Sequence, residues 1–301
     1  QFTFLLRYWR RTKNRSALSM VEKTIEMMRR GGIYDHAGFG FHRYSTDRKW
    51  TVPHFEKMLY DQATMAIACL ETFQATGRAF YADIAREIFS YVMLEMTSPE
   101  GGFYSAQDAD TEGKEGKYYL WTQEEISKVL DREDAKLAAA VFNFSPEGNF
   151  KEAESIKPGG NILFMTKSLE QLAGDTGMDL DGLKKRLEQV RKRLYAARNE
   201  RVRPLKDDKI MTDWNGLMIA AFARGGQVLK QDVYTEIAAR AARFILEKMS
   251  AGDGKLLHRY RAGQAAIDGM LDDYAFFTWG LIELYGATFD PGHLMRALAV
   301  N

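Results

Sequence analysis

Three stretches of the chain repeat one pattern: LYDQATMAIACLETF from residue 59, MTDWNGLMIAAFARG from 211 and LDDYAFFTWGLIELY from 271. Each places an aspartate just ahead of a strongly apolar run with helical spacing, so Asp61, Asp213 and Asp273 occupy one slot. A repeated helix start of this kind constrains the fold more than any other feature. A lone helical hairpin cannot bury its apolar face, so repeated hairpins must stack on one another in a solenoid or a closed ring.

The rest of the chain reads the same way. Apolar residues recur at helical spacing, and helices are predicted over 2–12, 16–30, 54–76, 79–97, 122–142 with a break near Asp131, 167–174, 179–199, 213–230, 232–249 and 272–289. Short turns, TKNRS, ATGRA, LKQD and FDPGH, join successive helices and leave room only for antiparallel neighbours. Longer connections alternate with them, opening on Gly31-Gly32, Gly101-Gly102 and Gly254, where a left-handed helix cap is expected. Their aromatic stretches, FGFHRYS, GFYSAQ, KYYLW and KLLHRY, suggest small β-hairpins mounted on helix ends. Helices of the MIAAFA type are apolar all round and belong inside, whereas 179–199 carries charge on one face and belongs outside. Two layers of helices make an all-α chain with the architecture of an α/α toroid. Its long loops and inner-helix N-termini would share one face, where free amides suit polar ligands.

Lys plus Arg number 42 against 41 Asp plus Glu, a balance that gives no field for nucleic acid or an anionic membrane. With no run of about 18 apolar residues there is no membrane span. One cysteine, Cys69, allows no internal disulfide, and the first residues lack the order of a signal peptide. A cytoplasmic setting and a neutral or mildly polar small molecule as partner are expected, with no nucleic acid and no membrane.

Three of the five histidines fall in GGIYDHAGFGFHRYSTDRKWTVPHFEKMLYDQA, residues 31–63. Imidazoles suit proton transfer near neutral pH, and Asp35, Asp108, Asp213, Asp272 and Asp273 offer the carboxylates that glycoside hydrolysis requires. His36, His42, His54 and Glu56 have the donor types of a zinc site, but their spacing follows no compact zinc signature. The turn DADTEGKEG begins like a calcium loop and then offers Tyr119 where the closing glutamate belongs. No metal or cofactor is expected. Trp50, Trp121, Trp214 and Tyr274 are candidates for stacking walls.

The segment 31–63, together with SPEGGFYSAQDADTEGKEGKYYLWT, DDKIMTDWNGLMIAAFARGG and LDDYAFFTWGLIELYGATFD, closely resembles segments of the spermatogenesis-associated protein family of bacteria and eukaryotes. The resemblance implies a six-hairpin, glycosidase-like toroid similar to N-acylglucosamine 2-epimerase, normally joined to a thioredoxin-like domain. Only the toroid, residues 1–301, is present here, with an incomplete ring expected and the thioredoxin-like domain left to the full protein. The epimerase likeness implies a carbohydrate-binding domain that acts as a sugar epimerase or isomerase by acid-base proton transfer. His36 and His54 are the expected proton-transferring pair, with Asp35 beside them. Substrate contacts are expected from His42, Arg43, Lys57, Asp108, Asp110, Trp214, Asn215, Asp273 and Tyr274. An epimerase-type Gln-Ala-Arg helix start is replaced here by PHFEKMLYDQ, so Arg43 or Lys57 would stand in for its arginine. The alternatives are a glycoside hydrolase using paired aspartates and a non-catalytic sugar-binding or scaffold module.

Overall fold

The computed structural model describes residues 1–151, 156–251 and 254–300. Its helices are α1 (Phe2–Thr12), α2 (Arg15–Arg30), α3 (Leu59–Thr76), α4 (Ala79–Tyr91), α5 (Gln123–Val129), α6 (Arg132–Phe142), α7 (Leu169–Thr176), α8 (Leu180–Asn199), α9 (Thr212–Leu229), α10 (Asp232–Lys248), α11 (Leu271–Thr288) and α12 (Pro291–Val300). Among the described residues no helix is long and apolar enough to cross a membrane. Strands are short, and the longest pair, Leu257–Arg261 with Gln264–Asp268, forms an antiparallel hairpin that Ile210–Met211 extends to three strands.

The predicted helices are present, including the break near Asp131, with two departures. The helix expected from 54 begins only at Leu59, because Phe55 N–H is held by the Glu115 carboxylate and Leu59 N–H by Ser105 O, which keeps the intervening backbone extended. The helix expected to reach 97 stays α only to Tyr91. It then widens into a π turn, Val92–Met96, closed by the Thr97 hydroxyl donating to Val92 O. The break near Asp131 is a new N-cap, with the Asp131 carboxylate accepting from Glu133 and Asp134 N–H.

The chain divides into two compact units, one of residues 1–22, 58–106 and 206 onward, the other of 23–57 and 107–205. In the first, α9 packs against α3 and α11, while α4, α10 and α12 each pack against the helix that precedes them. Helix α9 is buried along almost its whole length, as an inner helix must be. It meets α11 at two glycines: a Cβ on Gly216 would lie 2.5 Å from Phe276 C, and one on Gly280 would lie 2.7 Å from Gly216 O. The rings of Phe89, Phe103, Phe222 and Tyr234 fill the centre of this unit, with Phe89 stacked on Phe222 at 4.5 Å.

In the second unit α8 carries its apolar stripe, Leu183, Leu187, Val190 and Leu194, into a core with Trp121, Leu137, Val141 and Phe142. Trp121 is therefore a core residue. Gly31 and Gly32 do not adopt the left-handed conformation expected of them. They are needed because the backbone of 50–51 passes so close that a Cβ on either would meet Trp50 O at 2.2 Å or Thr51 O at 2.1 Å. Gly101 and Gly254 do turn left-handed, at φ 109° and 84°.

Candidate functional site

In the second unit the residues named from sequence fall into a buried network and an open face. Asp35 is buried and accepts two bonds at 2.8 Å from the Arg198 guanidinium, one at 2.7 Å from Lys57 Nζ and one at 3.0 Å from each of Ala37 and Gly38 N–H. Burial alone would raise its carboxyl, but Arg198 and Lys57 outweigh burial and hold it well below the usual carboxylate range. Lys57 also donates to Phe39 O at 2.7 Å. A Cβ on Gly38 would sit 2.1 Å from the Arg198 guanidinium, so glycine makes room for that pair.

His36 lies against Arg30 O and Gly31 O through Nε2, at 3.2 and 3.1 Å, and against the Arg29 guanidinium through Nδ1 at 3.3 Å. A neutral ring protonated on Nε2 satisfies all three contacts. Burial, reinforced by the Arg29 charge, lowers its pKa from 6.5 to about 3. His42 donates from Nδ1 to Phe55 O at 2.9 Å and packs edge-on to Phe55 and Tyr119; burial and then Lys57 lower it to about 3 as well. These two imidazoles fasten loop to backbone, and both stay neutral.

His54 is different. Its ring is a quarter exposed, stacks on Tyr44 at 4.9 Å, and meets Glu115 through Nδ1 at 2.7 Å and Glu56 through Nε2 at 3.6 Å. Arg43 pairs with Glu56 at 2.9 Å just beyond the end of the strand pair 44–45 and 53–54. Asp108 and Asp110 are exposed at the base of a hairpin, where the Asp108 carboxylate accepts from Asp110 N–H.

In the first unit two of the three repeated aspartates, Asp213 and Asp273, come together. Asp273 caps α11 by accepting from Met270 N–H at 2.8 Å, and its other oxygen accepts from Asp213 N–H at 3.0 Å, tying the first turns of α9 and α11 together. His258, from strand Leu257–Arg261, brings Nδ1 within 3.0 and 2.9 Å of the two Asp273 oxygens. One ligand atom from each of Asp213, His258 and Asp273 lies within 4.8 Å of the others. Burial raises the Asp213 carboxyl, the Trp214 N–H bond opposes this, and the Asp273 charge raises it further. Trp214 stands edge-on to Tyr60 at 4.9 Å. Asn215 and Tyr274 brace the site. Asn215 exchanges bonds with Phe103 N–H and O, and the Tyr274 hydroxyl accepts from Leu256 N–H.

His258, Tyr60 and Arg198 are the members of these groups that sequence reasoning missed. Each had a signal. Arg198 continues the stripe 183, 187, 190, 194 on an otherwise charged helix, His258 alternates with buried Leu256 and Tyr260, and Tyr60 precedes the repeated Asp61.

No family model matches the chain. Spermatogenesis-associated protein 20 of Homo sapiens is 38% identical over 330 residues, covering 99% of this chain and 42% of that protein. The chain thus spans about two-fifths of the length of this relative. Among solved structures, a family 76 glycoside hydrolase from a bovine Bacteroides thetaiotaomicron strain matches 99% of this chain and 44% of its own, with TM-score 0.55 and 12% identity. A D-mannose isomerase matches 94% of this chain and 49% of its own, with TM-score 0.51 and 12% identity. The likeness shows the fold, an α/α toroid, as the hairpin repeat led us to expect.

Proposed function

We propose, from the premise that this chain is homologous to a stretch of spermatogenesis-associated protein 20, that it is a carbohydrate-binding toroid which acts on sugars by acid-base proton transfer. The observation that carries this reading is the cluster of Asp213, His258 and Asp273 at the first turns of α9 and α11, with Trp214, the next residue after Asp213, edge-on to Tyr60 of α3. A sugar ring offers C–H faces that aromatic rings stack against, and hydroxyls that carboxylate and imidazole bind. Solved structures of this fold include a D-mannose isomerase and a family 76 glycoside hydrolase. Epimerisation or isomerisation, with proton transfer at a carbon next to a carbonyl, is our leading chemistry.

Hydrolysis is the second reading, favoured by the raised Asp213 carboxyl, which is suited to protonate a leaving oxygen. Isothermal titration with a panel of mono- and disaccharides tests the binding. Saturable heat with one class of sugar is expected, falling at least tenfold in affinity in Trp214→Ala. A silent panel defeats the proposal.

A further inference from the structure

We propose that His258 is the proton-transferring base of this site, positioned by Asp273, with Asp213 as the acid that works opposite it on a reducing sugar in its open-chain form. This rests on the reading of the site as a sugar site.

Asp273 cannot turn. It is fully buried, and its two oxygens are held by the amides of Asp213 and Met270. An imidazole nitrogen that faces both oxygens of such a carboxylate at 2.9–3.0 Å must carry the proton, since two lone pairs at that distance repel. Neutral His258 is therefore fixed as the Nδ1–H tautomer, which puts its lone pair on Nε2. The carboxylate orients the ring and stabilises the imidazolium formed when Nε2 takes a proton.

Charge accounting points to the same assignment. Among the described residues no lysine or arginine pairs with Asp213 or Asp273, so His258 is the side chain placed to carry a positive charge beside two buried carboxylates once it takes a proton. One carboxylate is fully hydrogen-bonded and the other is pushed toward its protonated form, which gives a base and an acid from one cluster. Ile267 stands opposite His258 in the hairpin register, between the pairs 266 with 259 and 268 with 257. It adopts φ 69°, a left-handed conformation rare for a β-branched side chain. The hairpin register thus skips the His258–Ile267 position, where the facing strand is locally strained.

The chemistry balances without a cofactor. His258 Nε2 removes the proton from the carbon beside the carbonyl, and the C–H electron pair forms a C=C bond. The carbonyl π pair moves to oxygen, which takes the proton of Asp213 and gives an ene-diol. His258 then gives its proton to the former carbonyl carbon while Asp213 takes the proton of the hydroxyl on the other carbon, whose C–O becomes the new C=O, which yields the isomer with His258 and Asp213 restored.

Two measurements on the whole chain test the assignment. Histidine side-chain 15N spectra should show His258 protonated on Nδ1 and bare on Nε2. Asp273→Asn should move it toward the other tautomer; an unchanged tautomer in that variant overturns the positioning role. Reducing sugars that bind by calorimetry are then incubated in D2O and weighed. The parent should gain one deuterium, at a rate that falls roughly 10²–10⁴-fold in His258→Gln and in the nearly isosteric Asp213→Asn, both checked by circular dichroism. Sugar binding without deuterium uptake by the parent overturns this inference and spares the sugar reading. No binding at all overturns both. One-to-one binding of Zn2+ or Mn2+ that is lost in His258→Gln, without deuterium uptake, would make the cluster a metal site and overturn the proton assignment.

Discussion

Gly280 offers a substitution whose sign the structure decides. Replacing a mid-helix glycine by alanine ordinarily stabilises a helix by about 1 kcal/mol, because it lowers the freedom of the unfolded chain and adds helix propensity. In α11 the new Cβ would lie 2.7 Å from Gly216 O and 3.2–3.3 Å from the Ile219 side chain. The first neighbour is backbone in the middle of α9 and cannot rotate away, so α9 and α11 must part by more than half an ångström (~0.7 Å) to reach ordinary contact. Overpacking of that kind costs about 1–3 kcal/mol, toward the upper end when backbone must move, so the net effect is a loss of about 2 kcal/mol. Gly286, two turns along the same helix, is the control. Its Cβ would meet only Gln227 Nε2, at 3.2 Å, the end of a flexible side chain, and Gly286→Ala should gain ~0.5–1 kcal/mol. Urea unfolding followed by helical circular dichroism reads both as shifts in midpoint at constant slope. Equal shifts, or a stabilised Gly280→Ala, would refute the close approach of the two helices.

The remaining predictions concern the buried charges of the second unit. Asp35→Asn leaves Lys57 and Arg198 buried without their carboxylate and should cost about 3–5 kcal/mol, measured by the same urea titration; a loss under 1 kcal/mol would mean that the pair is not desolvated. His36 and His42 titrate near 3 in the folded chain and near 6.5 when unfolded, so the unfolded state binds the extra protons between these values. Stability should therefore fall as pH drops from about 6.5 toward 3, by about 1.4 kcal/mol per pH unit for each ring. His42→Gln should remove one ring's share of that slope, and an unchanged slope would count against its burial as a neutral group. Asp35 is shifted in the same direction with the same sign of consequence: its depressed carboxyl contributes stability above its unfolded value, which is lost as pH falls through the folded one.

The helices were legible because their burial follows their own periodicity. Segment 54–58 was not, since Phe55, Met58 and Leu59 mimic helical spacing while the hydrogen bonds that fix them come from Glu115 and Ser105, far along the chain. Sequence also overvalued the histidine-rich loop. Its glycines and imidazoles are conspicuous, yet Gly31, Gly32, His36 and His42 serve close backbone passage and fastening. Loop residues that look functional by composition are often the ones a tight loop needs to hold its shape, and only the partner atoms tell the two apart. Arg198 and His258 escaped notice for the converse reason. Arg198 is one of several arginines on a charged helix and His258 a lone imidazole in a basic strand, and each matters through a carboxylate that folding brings to it, Arg198 through one 163 residues away.

The repeat links the stability test to the chemistry. Helices α9 and α11 are separated by one antiparallel return, so they run the same way and present their first turns at the same end of the unit. The same sequence slot then delivers a carboxylate from each, and the glycine contact at 216 and 280, one turn or two further along, sets how near those carboxylates come. The repeated pattern supplies two like-placed aspartates, and their surroundings make them unequal. Asp273 accepts amides from Asp213 and Met270 and is fixed, whereas Asp213 accepts from Trp214 N–H beside it and is pushed toward protonation by burial and the Asp273 charge. Any change that parts α9 from α11 should therefore relax the Asp213 carboxyl toward its ordinary value while loosening the core. On this reasoning Gly280→Ala should lower the Asp213 pKa, followed by carboxyl 13C shifts against pH, in the same protein that unfolds at lower urea. A variant that lost stability but left Asp213 unmoved would separate the helix contact from the site.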